Sequence, residues 1–181
     1  MIGSIIAWHL NTILNENQFV IVDDFIHTDQ EKNISKRNFS EFIYKNDLQK
    51  YLSKNNKVSA VIHMGAISDT TENNFNQLLS SNIRYSQMLW SWCTENNVPF
   101  IYASSAATYG LGEHGYNDSE EDINNLSPLN AYGYSKHFFD QWVLQQIQVQ
   151  PTTPPQWCGL KFFNVYGPNE YHKGRMASVV Y

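Results

Sequence analysis

Residues 98–110 read VPFIYASSAATYG. Pro99 opens a run, Phe100-Ile101-Tyr102-Ala103, that is apolar at every position and then stops in small and hydroxyl-bearing residues. An apolar run without polar alternation marks a strand buried on both faces, the condition of a parallel sheet covered by helices. Small residues at its tip let backbone and ligand approach closely. The fold therefore turns on whether the chain repeats the same unit of apolar strand, small tip and helix.

The pattern repeats in both directions. Upstream, SAVIHMGA (59–66) is a second such strand, and FVIVDD (19–24) a third that ends in Asp23 and Asp24. Downstream, WCGLKFFNVYGP (157–168) is another. Between them the apolar spacing predicts helices over Gly3–Leu14, Phe75–Glu95 and Tyr132–Gln148. The last of these has Phe138, Phe139, Trp142 and Val143 as its expected buried side, and the run QPTTPPQ (150–156) breaks it. A weak strand near Phe42–Tyr44 and a short helix near Leu48–Leu52 are the readings for the polar stretch between 27 and 57. The loop 110–130 is long for a connection, which marks it as functional or a lid. Helices alternating with apolar strands define an α/β chain with a doubly wound parallel sheet of the Rossmann type.

Ligands of such sheets bind beyond the carboxyl ends of the strands. The tips hold Asp23-Asp24, MGAISDTTE, SSAATYG and NVYGPNEYHKGRMAS. An acid at a strand tip can bind ribose hydroxyls and repel a 2′-phosphate, which favours NAD, whereas a lysine such as Lys32 reverses that preference.

Just past the third of these tips, residues 130–139 read NAYGYSKHFF. Tyr132 and Lys136 are four apart and share a helix face, while Tyr134 and Lys136 do not. A phenol of ordinary pKa near 10 is a poor base at neutral pH. An ammonium within ~4–6 Å favours the phenolate and lowers that value by about 1–3 units. With a hydroxyl from Ser104 or Ser105 to hold an alcohol, the pair would form a device for taking the alcohol's proton while hydride leaves its carbon. Alone, Tyr-x-x-x-Lys on a helix is most often a solvated pair; its place after the tip SSAATYG is what gives it weight.

Composition narrows the alternatives. The chain has 181 residues, net charge −5, 42% hydrophobic and 16% charged residues, which suits a globular core and offers no basic footprint for nucleic acid. No stretch reaches the ~18–20 apolar residues that span a bilayer, and the N-terminal segment lacks the basic flank of a signal peptide. Cys93 and Cys158 have neither metal-ligand spacing nor a disulfide framework, so each is expected to be a small buried hydrophobe in a reducing, cytoplasmic protein. No metal site is expected.

Taken together, YASSAATYG, YGYSK and FFNVYGP resemble the extended short-chain dehydrogenase/reductase family of sugar-nucleotide epimerases and dehydratases. HMGAISDTTE, NAYGYSK and, most specifically, the HKG-x-MAS run at 172–178 look most like the branch that epimerises an ADP-linked heptose at C6. The likeness covers most of the chain and is weakest between 26 and 57. It implies Tyr132 as acid/base, Lys136 as its ribose-binding partner, Ser105 as the orienting hydroxyl and Lys173 as a second acid/base. It further implies Asn164 and Arg175 as substrate contacts. Cofactor contacts are implied at Ile2, Gly3, Asp23, Asp24, Lys32, Lys45, Gly65, Ala66, Ile67, Ser68, Asn82, Val165 and Lys173. The implied cofactor is NADP, with NAD as the alternative; the implied substrate is an ADP-heptose and the implied state of the whole protein a homo-oligomer.

The likeness also has gaps. Family members begin with a strand and a Thr-Gly-Gly-x-Gly-Phe-Ile-Gly-Ser loop, of which only Gly3 of the glycines has a counterpart, and a smaller C-terminal substrate domain has none. The chain is therefore expected to be one partial nucleotide-binding domain over residues 1–181, lacking the first strand and inactive by itself. Two other readings stand beside this one. A different epimerase or dehydratase of the family is the first, although Ala106-Ala107 stands where a dehydratase would want an acidic pair. A non-catalytic remnant is the second.

Overall fold

The computed structural model describes residues 1–24, 28–54, 57–170 and 177. In chain order the elements are α1 (Ile2–Thr12), β1 (Val20–Asp23), α2 (Thr28–Lys32), β2 (Glu41–Tyr44), α3 (Leu48–Leu52), β3 (Val61–His63), α4 (Phe75–Leu78), α5 (Tyr85–Glu95), β4 (Phe100–Ser105), α6 (Ala131–Val149) and β5 (Trp157–Phe162). All strand pairing is parallel: β1 pairs with β2, and β4 lies between β3 and β5. Among the described residues no strand joins the two sheets. Parallel pairing within each sheet, with helices between successive strands, is the pattern of a doubly wound α/β fold. The chain divides into two compact units, one of residues 1–57 with 164–181, the other of residues 58–163. No described helix is long and apolar enough to cross a membrane.

The larger unit has its core on one face of β3-β4-β5. Register places Phe100 beside Trp157 and Tyr102 beside Gly159, so one face of the sheet is aromatic. Trp90 of α5 meets Phe100 and Trp157 edge-on, with centroids 6.0 and 5.7 Å away. Phe139 of α6 stands edge-on to Tyr102 at 4.9 Å. Phe100, Phe139, Leu78 and Val143 are almost wholly buried, each contributing roughly 1.5–3 kcal/mol of transfer free energy.

Only β4 has the two-sided burial that the apolar strands led us to expect; β5 alternates between half-buried and exposed residues, with Cys158 and Leu160 on the open face. A strand hydrogen-bonded on both sides is shielded by its neighbours, whereas β5 has a single partner. Cys158 is thereby exposed, against the expectation of a buried thiol, while Cys93 is buried and its thiol is pushed up to about 12 by desolvation. Phe138 corrects a second expectation. It lies on the open side of α6, where it meets Phe75 and Tyr134, and the buried side is formed by Tyr132, Ser135, Lys136, Phe139, Asp140 and Val143.

The helix predicted over Phe75–Glu95 is continuous, but its middle, Leu79–Arg84, is wound as a π-helix. The wider winding turns Asn82 inward, and such bulges often mark functional positions. The loop 110–130 is pinned rather than loose: Ile123 and Leu126 pack on Tyr109. Gly110 has φ +61°, and a Cβ there would sit 1.9 Å from the Ser127 carbonyl oxygen.

Candidate active site

The site is built where α6 meets the carboxyl end of β4. Asn130 caps α6 by accepting a hydrogen bond from the Gly133 N–H at 2.8 Å, which fixes the first turn and with it Tyr132. Gly133 lets that turn press against the segment after β4; a Cβ there would lie 2.9 Å from the Ala107 carbonyl oxygen and 3.0 Å from Pro128 Cβ. Ser105 accepts from the Ala107 N–H at 3.1 Å, and its hydroxyl acts on the Tyr132 phenol, favouring the phenolate against the effect of burial. Neighbouring Ser104 is committed elsewhere, donating to Asp140 at 2.6 Å. The structure thus settles which of the two serines faces the phenol, and Tyr134, 39% exposed, takes no part.

Lys136 lies one turn along from Tyr132 and is 5% exposed. Its Nζ donates to the Ala103 carbonyl oxygen at 2.8 Å, and among the described residues it has no other partner. Burial pushes the ammonium down to about 8, with Asp140 opposing. The phenol of Tyr132 departs from expectation. It is raised above its ordinary value, because desolvation outweighs the donor from Ser105. Burial therefore favours the protonated phenol.

Behind this pair Asn82 acts as a clamp. Its amide accepts from the Ile67 N–H at 2.9 Å and donates to the Ile67 carbonyl at 3.0 Å and to Ser135 at 2.9 Å. Ser135 in turn donates to the Tyr132 carbonyl at 2.7 Å. One buried amide therefore ties the loop Gly65-Ala66-Ile67-Ser68 to the turn that carries the phenol. Nothing lies within 4 Å of where a Cβ on Gly65 would sit. Two free ammonium donors on Lys136 and an open glycine backbone suit the hydroxyls and phosphates of a dinucleotide.

The remaining predicted residues divide as follows. Ile2 and Gly3 begin α1 in the smaller unit. In the same unit Asp23 accepts from the Asp24 N–H at 2.8 Å at the end of β1. Register pairs Asp23 with Tyr44, so Asp24 and Lys45 leave the same edge of that sheet, and Lys32 ends α2. Asn164, exposed, and Val165, half-buried, follow β5. Lys173 and Arg175 lie outside the described residues. Sequence reasoning missed Ser135, Asp140 and Lys161. Of these Asp140 was within reach, since Tyr132, Lys136 and Asp140 recur every four residues along one face.

The parallel sheets and this arrangement at the tip of β4 accord with a nucleotide-binding α/β class, and the chain belongs to the NAD dependent epimerase/dehydratase family, whose pattern matches residues 1–181. More particularly, it is 51% identical over 186 residues to an ADP-L-glycero-D-manno-heptose-6-epimerase of Fusobacterium nucleatum, covering 100% of this chain and 54% of that one. A protein of the same name from Brachyspira hyodysenteriae is 40% identical over 184 residues, covering 99% of this chain and 56% of that one. The crystal structure of the Helicobacter pylori protein of that name superposes with TM-score 0.81 at 29% identity, over 99% of this chain and 57% of that one. A UDP-glucuronic acid 4-epimerase from Bacillus cereus, solved with NAD, superposes with TM-score 0.68 at 25% identity, over 93% of this chain and 55% of that one. The chain spans about half the length of the curated relatives it matches.

Proposed function

We propose that this chain is the cofactor-binding part of an ADP-L-glycero-D-manno-heptose 6-epimerase, which inverts C6 of an ADP-linked heptose for the lipopolysaccharide inner core. The observation that carries the reading is the Tyr132–Ser105 hydroxyl pair at the tip of β4, with Lys136 one turn behind it. The identity of 51% to a relative of that name supports the substrate.

A bound nicotinamide dinucleotide supplies the exchange of hydride with the inverted carbon. The protein's own groups handle the proton and the pose. Ser105 holds the substrate hydroxyl against Tyr132. The proton released when the alcohol is oxidised passes to the second shuttle, an unprotonated Lys173, and the phenol, kept protonated by burial, gives its proton to the oxygen when the alcohol is re-formed; exchange with solvent then resets both groups. Lys136 directs its two free donors at ribose hydroxyls, and Asn82 keeps the loop Gly65–Ser68 in place beneath the phosphates. Inversion requires the ketone to present its other face, so a second proton shuttle is needed; Lys173 of the HKG run is that group in this reading. Asn164 and Arg175 hold the substrate. NADP is the preferred cofactor, with Lys32 and Lys45 as partners for a 2′-phosphate, and NAD is the alternative that Asp23 and Asp24 favour. The whole protein assembles as a homo-oligomer.

The test is a fluorescence titration with NADPH and NADH, followed by turnover of ADP-D-glycero-D-manno-heptose by the intact protein. Tighter binding of NADPH and formation of the L-epimer are expected. A folded protein that binds neither dinucleotide overturns the proposal.

A further inference from the structure

Asp140 is 5% exposed and lies two turns from Tyr132 and one from Lys136, on the same face of α6. Its carboxylate is engaged by three side chains from two strands. Tyr102 of β4 donates to one oxygen at 3.0 Å; Ser104 of β4 donates to the other at 2.6 Å, and Lys161 of β5 pairs with that second oxygen at 3.1 Å. Lys161 also donates to Thr108 at 2.8 Å and lies 5.0 Å from the Tyr109 ring centroid. The titratable groups around the carboxylate are thus Lys136 and His137 on its own helix, Tyr102 and Lys161 from the sheet, and Tyr109 from the segment after β4.

A buried carboxylate with one full ion pair and two hydroxyl donors is satisfied without Lys136. Its charge nonetheless acts on the ammonium one turn away, and its hydrogen bonds fix where along the strands α6 sits. We propose that Asp140 is a positioning residue for the reaction centre, locking α6 on β4 and β5 and supplying the negative charge that holds the Lys136 ammonium in place. Lys161 is the counterweight: it neutralises part of that charge, so the balance between the two sets how firmly Lys136 keeps its proton. The direction of the Lys136 displacement, down by burial and up by Asp140, agrees with this arrangement. The proposal rests on the epimerase reading for its meaning, but not for its test.

The test follows the Lys136 side-chain amine by carbon NMR of lysines labelled at Cε in the intact protein, with Lys136→Arg used only to assign the signal. Asp140→Asn keeps an acceptor for Tyr102 and removes the charge; the Lys136 midpoint should fall from about 8 by roughly half a pH unit or more. Lys161→Gln removes the counterweight and should raise the same midpoint. Opposite displacements support the proposal. An unmoved midpoint, or movement in one direction in both variants, overturns it, because a purely structural carboxylate would give no such pair. Should Asp140→Asn fail to fold, Lys161→Gln decides alone: a raised midpoint supports the proposal and an unraised one overturns it. No substrate enters the measurement, so its failure is distinct from failure of the epimerase reading.

Discussion

At Tyr132 a single oxygen separates the proposed acid from a packed aromatic ring. Tyr132→Phe removes that oxygen and leaves the Lys136–Ala103 hydrogen bond untouched. Turnover of the intact protein should fall by roughly 10²–10⁴-fold while NADPH affinity changes little. Near wild-type turnover in this variant would remove Tyr132 from the mechanism. Ser105→Ala should act in a different way: it deletes the donor that partly offsets burial, so the phenol rises further. The alkaline limb of the rate profile is expected to move to higher pH, read from kcat/KM across the pH range. The shared face of Tyr132 and Lys136 was legible from a spacing of four. The direction of the phenol's displacement was not, since it depends on how deeply packing buries Tyr132. The two cysteines make the same point. Ellman's reagent should titrate Cys158 in the native protein and reach Cys93 only on unfolding. Two equally fast thiols would contradict the burial of Cys93.

At the scale of the element, α6 is set by contacts at its first turn and its middle. Gly133→Ala puts a methyl against the Ala107 carbonyl oxygen and Pro128, both parts of rigid segments. Overpacking of this kind costs typically 1–3 kcal/mol and must be relieved by lifting the turn that holds Tyr132. Stability and turnover should therefore drop together, with turnover dropping further than the loss of folded protein explains; calorimetry beside kinetics checks this. Asn82→Ala leaves the Ile67 N–H and carbonyl without their partner. Dinucleotide affinity should weaken by tenfold or more, while unchanged affinity would show that the loop holds itself. The helix Phe75–Glu95 was legible as a helix from its apolar spacing. Its π-wound centre was not, because that winding answers to where Asn82 must point, toward a loop and a helix distant in sequence.

For the whole molecule, the buried ionisable groups of the larger unit set how stability varies with pH. Lys136 is depressed from 10.5 to about 8, so between those values the unfolded chain binds more protons and stability rises with pH on its account. Cys93 is raised from 9.0 to about 12, so the folded state holds a proton that the unfolded state loses, and stability falls above pH 9. The urea midpoint should accordingly rise from pH 7.5 to 9 and cease rising above it. Four of the five tryptophans lie in this unit and report it by their emission. Lys136→Met should abolish the rise; a rise that persists would assign it to another group. By itself the sequence determined the alternation of helix and strand, the parallel pairing, and the shared helix face of Tyr132 and Lys136 at the proposed site. These follow from periodicity and spacing, which are local. Only the tertiary structure decided that Ser105 rather than Ser104 meets the phenol, that Phe138 faces outward, and that Asp140 and Lys161 stand behind the site. Those outcomes depend on which strand lies beside which helix and on what burial does to a charge, and both arise only when distant segments pack.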